Sequence, residues 1–185
     1  MYIINEQMYR SPNVSSRHGV KVDTLVLHHT GGAFPGCAVW LCNPEAKASA
    51  HYIITRSGEI YQLVPPEYCA WHAGRSAFDY NDDGSISEEE KGLNRRSIGI
   101  ELEYDHRIHE DYTSQQISML VNLVIHLLKE WEIPYSNVLG HKEIAPGRKW
   151  DPGNFDMAAF RQHLYELSML HINASLSKFK PKEGK

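Results

Sequence analysis

Leu25-Val26-Leu27-His28-His29-Thr30 is an apolar run that closes on two imidazoles and a hydroxyl. Its composition suits a buried strand whose end opens on a polar site. Far downstream lies His141-Lys142-Glu143-Ile144-Ala145-Pro146-Gly147-Arg148-Lys149-Trp150-Asp151-Pro152-Gly153, and the two segments together read as a split zinc site. Zinc takes imidazole nitrogen with carboxylate or thiolate, and a catalytic site uses three protein ligands so that a fourth position stays open to water. His28, His141 and Asp151 supply such a set. His141 and Asp151 are too far apart for one helical turn, so Pro146, Gly147, Pro152 and Gly153 suit a loop that returns both ends to one ion. Lys149 rides on that loop.

Each piece alone has a plainer reading. A histidine at the end of an apolar strand is usually a hydrogen-bonded structural residue, and a charged, proline-rich loop is usually surface. A third element weighs against that: in Ser97-Ile98-Gly99-Ile100-Glu101-Leu102-Glu103-Tyr104, strand periodicity puts Ile98, Ile100 and Leu102 on one face. Gly99, Glu101 and Glu103 fall on the other, so a carboxylate faces a side that glycine clears.

With these residues in view the chain resembles the zinc-dependent N-acetylmuramoyl-L-alanine amidases of the second type. That family includes phage lysozyme-type amidases, AmpD-like amidases and peptidoglycan recognition proteins. Further motifs carry the likeness: Ser49-Ala50-His51-Tyr52, Gly58-Glu59-Ile60 and Ala70-Trp71-His72-Ala73-Gly74. It covers about residues 11 to 164, in family order. The resemblance implies that His28, His141 and Asp151 bind zinc, that Glu101 and Lys149 act on the reacting amide, and that Trp71 and His72 wall a substrate groove. His51 is either a substrate contact or neighbour of the site, or a structural hydrogen bond within the sheet. Adjacent strand residues point to opposite faces, so His28 and His29 cannot both reach one ion. The residues leave that choice open, and the family's alignment favours His28. Phage lysozyme-type members carry a tyrosine before the position of His51 and a cysteine as third ligand. Ala50 and Asp151 stand here instead, which puts the acid–base work on Glu101, as in AmpD-like members.

The implied reaction is hydrolysis of the amide between N-acetylmuramic acid and L-alanine in peptidoglycan or muropeptides. Zinc acidifies a water, Glu101 moves its proton and Lys149 offsets the oxyanion. Two other classes stay open: a non-catalytic peptidoglycan-binding module, whose members typically lose a zinc ligand, and a zinc peptidase acting on the stem peptide.

A second metal-like pattern runs from Asp79 to Glu90. It fits a calcium loop, with oxygen donors at Asp79, Asn81, Asp83, Ser85 and Glu90 and Gly84 at the turn. The competing reading is an acidic, solvated insertion, since no flanking helix pair is evident. Cys37, Cys42 and Cys69 leave a Cys37–Cys42 bridge, free thiols and a cluster with His29 all open, and the redox compartment with them.

A chain of 185 residues, 42% hydrophobic and 23% charged, suits a single core. The net charge of −4 and the lack of a basic stripe argue against nucleic acid. No stretch reaches the ~20 apolar residues of a membrane span, and no signal peptide is visible. A cytoplasmic recycling enzyme, or a phage endolysin released to the wall, fits that; a monomer is expected.

The expected fold is α/β, a single mixed central β-sheet flanked by helices. Strands are expected near residues 24–28, 51–55, 60–64, 98–103 and 137–139. Thr113 and Gln116 form a capping signature for a helix whose stripe is Ile117, Leu120, Val121, Val124, Leu127, Leu128 and Trp131. A last helix spans about 156–170, with Phe160, Leu164 and Leu167 inward. Residues 1–174 read as one catalytic domain and 175–185 as a basic, partly ordered tail.

Overall fold

The computed structural model describes residues 2–80, 82–88 and 91–177, with the backbone alone for 171–177. Asn81, Glu90 and the tail from residue 178 onward lie outside the described residues. The chain forms two compact units, Met1–Phe155 and Asp156–Lys185.

The first unit holds a six-stranded mixed sheet. Its strands are β1 (Ile4–Asn5), β3 (Thr24–His29), β4 (Tyr52–Ile54), β5 (Ile60–Gln62), β7 (Ser97–Leu102) and β8 (Val138–Gly140). They lie in the order β1-β5-β4-β7-β3-β8. Only β4 and β5 pair antiparallel, across the turn at Ser57-Gly58; every other neighbour is parallel. A separate antiparallel pair joins β2 (Val14–Ser15) to β6 (Cys69–Ala70). The expected strands are thus all present, while β1, β2 and β6 are too short, at two residues each, to show a period of two.

All six residues of β3 are buried, because β7 and β8 pair on either side of it and both faces of the sheet are covered. Helix α1 (Gly36–Leu41) follows β3, and α2 (Ser114–Glu130) follows β7. Thr113 caps α2 as the spacing predicts, its side chain accepting from Gln116 N–H. The buried stripe, however, is Gln116, Leu120, Leu123, Val124, Leu127 and Leu128. Gln116 replaces Ile117 on that face because its amide donates to the carbonyls of Ile54 (2.9 Å) and Glu103 (3.1 Å). A buried polar group is tolerated where it makes such bonds.

The second unit contains α4 (Met157–Ser177). Asp156 Oδ1 accepts from Ala159 N–H at its start, and Met157, Phe160 and Leu164 are buried. The helix continues past the expected end near 170 to Ser177.

Candidate metal centre and active site

In a parallel sheet the carboxyl ends of neighbouring strands lie along one edge, where ligands gather. Here β3 ends at His28-His29, and β8 runs straight into the four-residue helix α3 (His141–Ile144). His141 therefore projects beside the end of β3. The loop after α3 folds back on itself: Lys142 N–H donates to the Asp151 carbonyl at 2.8 Å, and Arg148 and Lys149 N–H to Ala145 O.

The result is a tight triangle. His28 Nδ1 lies 2.9 Å from His141 Nδ1 and 3.1 Å from Asp151 Oδ2, and His141 Nδ1 lies 2.9 Å from the same oxygen. Tetrahedral zinc ~2.0–2.1 Å from each ligand spaces ligand atoms ~3.3 Å apart, so the donor set fits with small adjustment. Three lone-pair atoms converge this way only around a cation or a shared proton. All three residues are buried, and among the described residues this is the one cluster of three or more histidine, cysteine, aspartate or glutamate side chains able to hold a metal.

The outer nitrogens of both rings are engaged, as metal-binding imidazoles require. His141 Nε2 donates to Ala73 O at 3.2 Å, and His28 Nε2 lies 3.0 Å from His72 Nδ1. Burial pushes the His28 pKa down to about 4 against the pull of Asp151, so the ring is neutral and ready to coordinate at pH 7. Burial alone would raise Asp151, but its close contacts with the His141 and His28 rings override it and hold the carboxyl below the usual range.

His29 resolves the choice between neighbours. Its Nδ1 accepts from Gly153 N–H at 2.9 Å, so it fastens the loop that carries Asp151 rather than joining the triangle. A Cβ on Gly153 would stand 2.4 Å from Trp150 Cζ3, so glycine there lets the Trp150 ring lie over the loop and against His29 (centroids 4.4 Å apart).

Glu101 pairs with His28 across β3 and β7 and therefore projects from the same face. One of its oxygens is buried without a hydrogen-bond partner. Burial, reinforced by Asp151 and opposed by Lys149, pushes its pKa up to about 8. Lys149 is exposed. Both line an open groove of about 450 Å³, together with Trp40, Trp71, His106 and Trp150. Composition could have hinted at Trp40 and Trp150 only as surface tryptophans; their place on this rim is tertiary.

The other two expected substrate contacts, His51 and His72, are both buried, and His72 also lines the groove. His51 is fully buried: its Nδ1 accepts from Gly99 N–H (2.9 Å), and its Nε2 lies 3.0 Å from Arg17 Nη2 and 3.1 Å from Tyr68 O, so it ties the sheet together. His72, also buried, meets His28 behind the triangle, and a Cβ on Gly99 would stand 2.5 Å from its Cγ. The face that Gly99 clears is filled by this ring. Trp71 stays at the groove, its indole N–H donating to Ser15 Oγ at 3.1 Å.

The calcium reading gains no support. Asp79 accepts backbone N–H groups from Asp83 and Gly84, and Asp83 accepts from Ser85 N–H and Oγ, so these carboxylates serve the turn itself. Asn81 and Glu90 fall outside the described residues. Cys37, Cys42 and Cys69 are free thiols, which removes both the bridge and the cluster with His29. No described helix is long and apolar enough to cross a membrane.

Residues 18–154 match the family model described as N-acetylmuramoyl-L-alanine amidase. The chain is 40% identical over 117 residues to the 1,6-anhydro-N-acetylmuramyl-L-alanine amidase AmpD of Citrobacter freundii, covering 62% of this chain and 56% of that protein. To the AmpD of Escherichia coli (strain K12) it is 32% identical over 180 residues, covering 86% and 92%. A crystal structure of a selenomethionine AmpD derivative superposes with a TM-score of 0.70 at 30% identity, covering 87% of this chain and 93% of that one.

Proposed function

This chain belongs to the N-acetylmuramoyl-L-alanine amidase family, and on that footing we propose that it hydrolyses the amide joining N-acetylmuramic acid to L-alanine in muropeptides, with one zinc ion held by His28, His141 and Asp151. The observation that carries this is the triangle of ligand atoms with Glu101 on the adjoining strand of the same sheet face.

Bound at that triangle, zinc supplies an acidified water and an electrophilic contact for the scissile carbonyl. The remaining steps belong to this chain's side chains. Glu101 accepts the water's proton as its oxygen bonds to the lactyl carbonyl carbon. It then hands that proton to the L-alanine nitrogen as the C–N bond breaks, so the amine leaves neutral. The partnerless oxygen of Glu101 is free for this, and burial beside Asp151 raises its affinity for the proton it carries from water to amine. Lys149 offsets the charge that develops on the carbonyl oxygen, a contribution of about 3–4 kcal/mol where one such donor has been removed elsewhere. Trp40, Trp71 and Trp150 offer apolar ring faces along the groove for the sugar and the peptide.

Product masses test the reading. Zinc-loaded protein acting on N-acetylmuramoyl-L-alanyl peptide should release intact stem peptide with a free L-alanine amine. Cleavage within the stem peptide would make it a peptidase, and tight binding without turnover a recognition module.

A further inference from the structure

Behind His28 runs a chain of hydrogen bonds whose direction can be read from its far end. The Leu93 carbonyl can only accept, so Ser97 Oγ, 2.6 Å away, donates its single proton there. That leaves Ser97 Oγ as an acceptor toward His72 Nε2 at 3.2 Å, which must carry the ring proton. A neutral imidazole has one such proton. His72 Nδ1 therefore accepts from His28 Nε2 at 3.0 Å, and His28 turns the lone pair of Nδ1 toward His141 and Asp151.

We propose that His72 is a positioning residue: it locks His28 in the Nε2-protonated tautomer and so aims the Nδ1 lone pair at the metal position. This rests on the zinc reading of the site. Two features show that the ring is held rather than merely adjacent. Its face lies against Gly99, where any Cβ would collide with it. Its backbone is clamped, because Asn94 Oδ1 accepts from both His72 N–H (3.1 Å) and Ala73 N–H (2.6 Å). The same clamp presents Ala73 O to His141 Nε2, so two consecutive residues orient the two histidines of the triangle, one through a ring and one through a carbonyl.

Nitrogen-15 NMR of the metal-free wild type reads the tautomers directly. Both His28 and His72 should be protonated on Nε2; a His72 proton on Nδ1 overturns the proposal, and this result needs no variant. Zinc affinity, measured by competition with a chromophoric chelator, supplies the second readout. His72→Leu should weaken zinc binding by about 10–100-fold, the usual cost of losing such a partner. His72→Asn, whose amide oxygen can accept from His28, should recover most of that loss. Ser97→Ala touches no ligand and should still weaken zinc binding. His72→Leu with wild-type zinc affinity overturns the proposal and leaves the amidase reading intact. A wild type that binds zinc, shows these shifts and does not turn over muropeptide overturns the amidase reading alone.

Discussion

Glu101 stands directly across the parallel pairing from His28, so a metal-ligand candidate and an acid–base candidate are set side by side by the ladder alone. Parallel partners share a face of the sheet, and neither side chain needs a loop to reach the groove.

Glu101→Gln keeps the shape of that side chain and removes its ability to move a proton. Zinc content should be unchanged, while muropeptide turnover falls by about a hundredfold or more. Unchanged turnover in a single-turnover assay would remove Glu101 from the chemistry.

Asp151→Asn leaves two imidazoles and takes away the negative charge that both of them contact. The protein should emerge from gel filtration without stoichiometric zinc by elemental mass spectrometry. Retention of one equivalent together with full activity would refute the ligand assignment.

Gly99→Ala puts a methyl 2.5 Å from His72 Cγ. Overpacking of this kind typically costs about 1–3 kcal/mol, and here it also displaces the ring behind His28. Urea unfolding should show the lost stability, and chelator competition a weaker zinc site.

In the metal-free protein, burial holds His28 at about 4 and His51 at about 3, with His72 also well below its ordinary value. The unfolded chain binds protons at these residues first, from about pH 6.5 downward. Their contribution to stability is full above that pH and is lost as pH falls toward 4 and below. Glu101, raised to about 8, works in the opposite sense: it disfavours folding as pH climbs from about 4.5 to 8. Three histidines outweigh one carboxyl in the acid range, so melting temperature should fall between pH 6.5 and 4. Glu101→Gln should raise it at pH 8.5 in the metal-free state, and a flat profile in both would contradict the burial of these groups.

Much of this molecule is written locally. The apolar run ending at His28, the alternation around Glu101 and the Thr113 cap each announce an element, because strand and helix periods and capping bonds act over a few residues. The donor types at His28, His141 and Asp151 likewise name the chemistry before any folding. The choice of His28 over His29 is different, since both end the same strand. It is made by where β8 and its following loop arrive, with Gly153 N–H taking the second ring. The inward turn of Gln116 depends on carbonyls at Ile54 and Glu103, far off in sequence. The sequence leaves His51 open between a site contact and a hydrogen bond within the sheet, and reads His72 as a groove wall. Only the packed sheet makes one a backbone tie and the other the partner of His28. Residue type and period are local properties, and they set the elements and the metal chemistry; the direction of a buried hydrogen bond depends on groups brought together from across the chain, so tertiary structure alone assigns it.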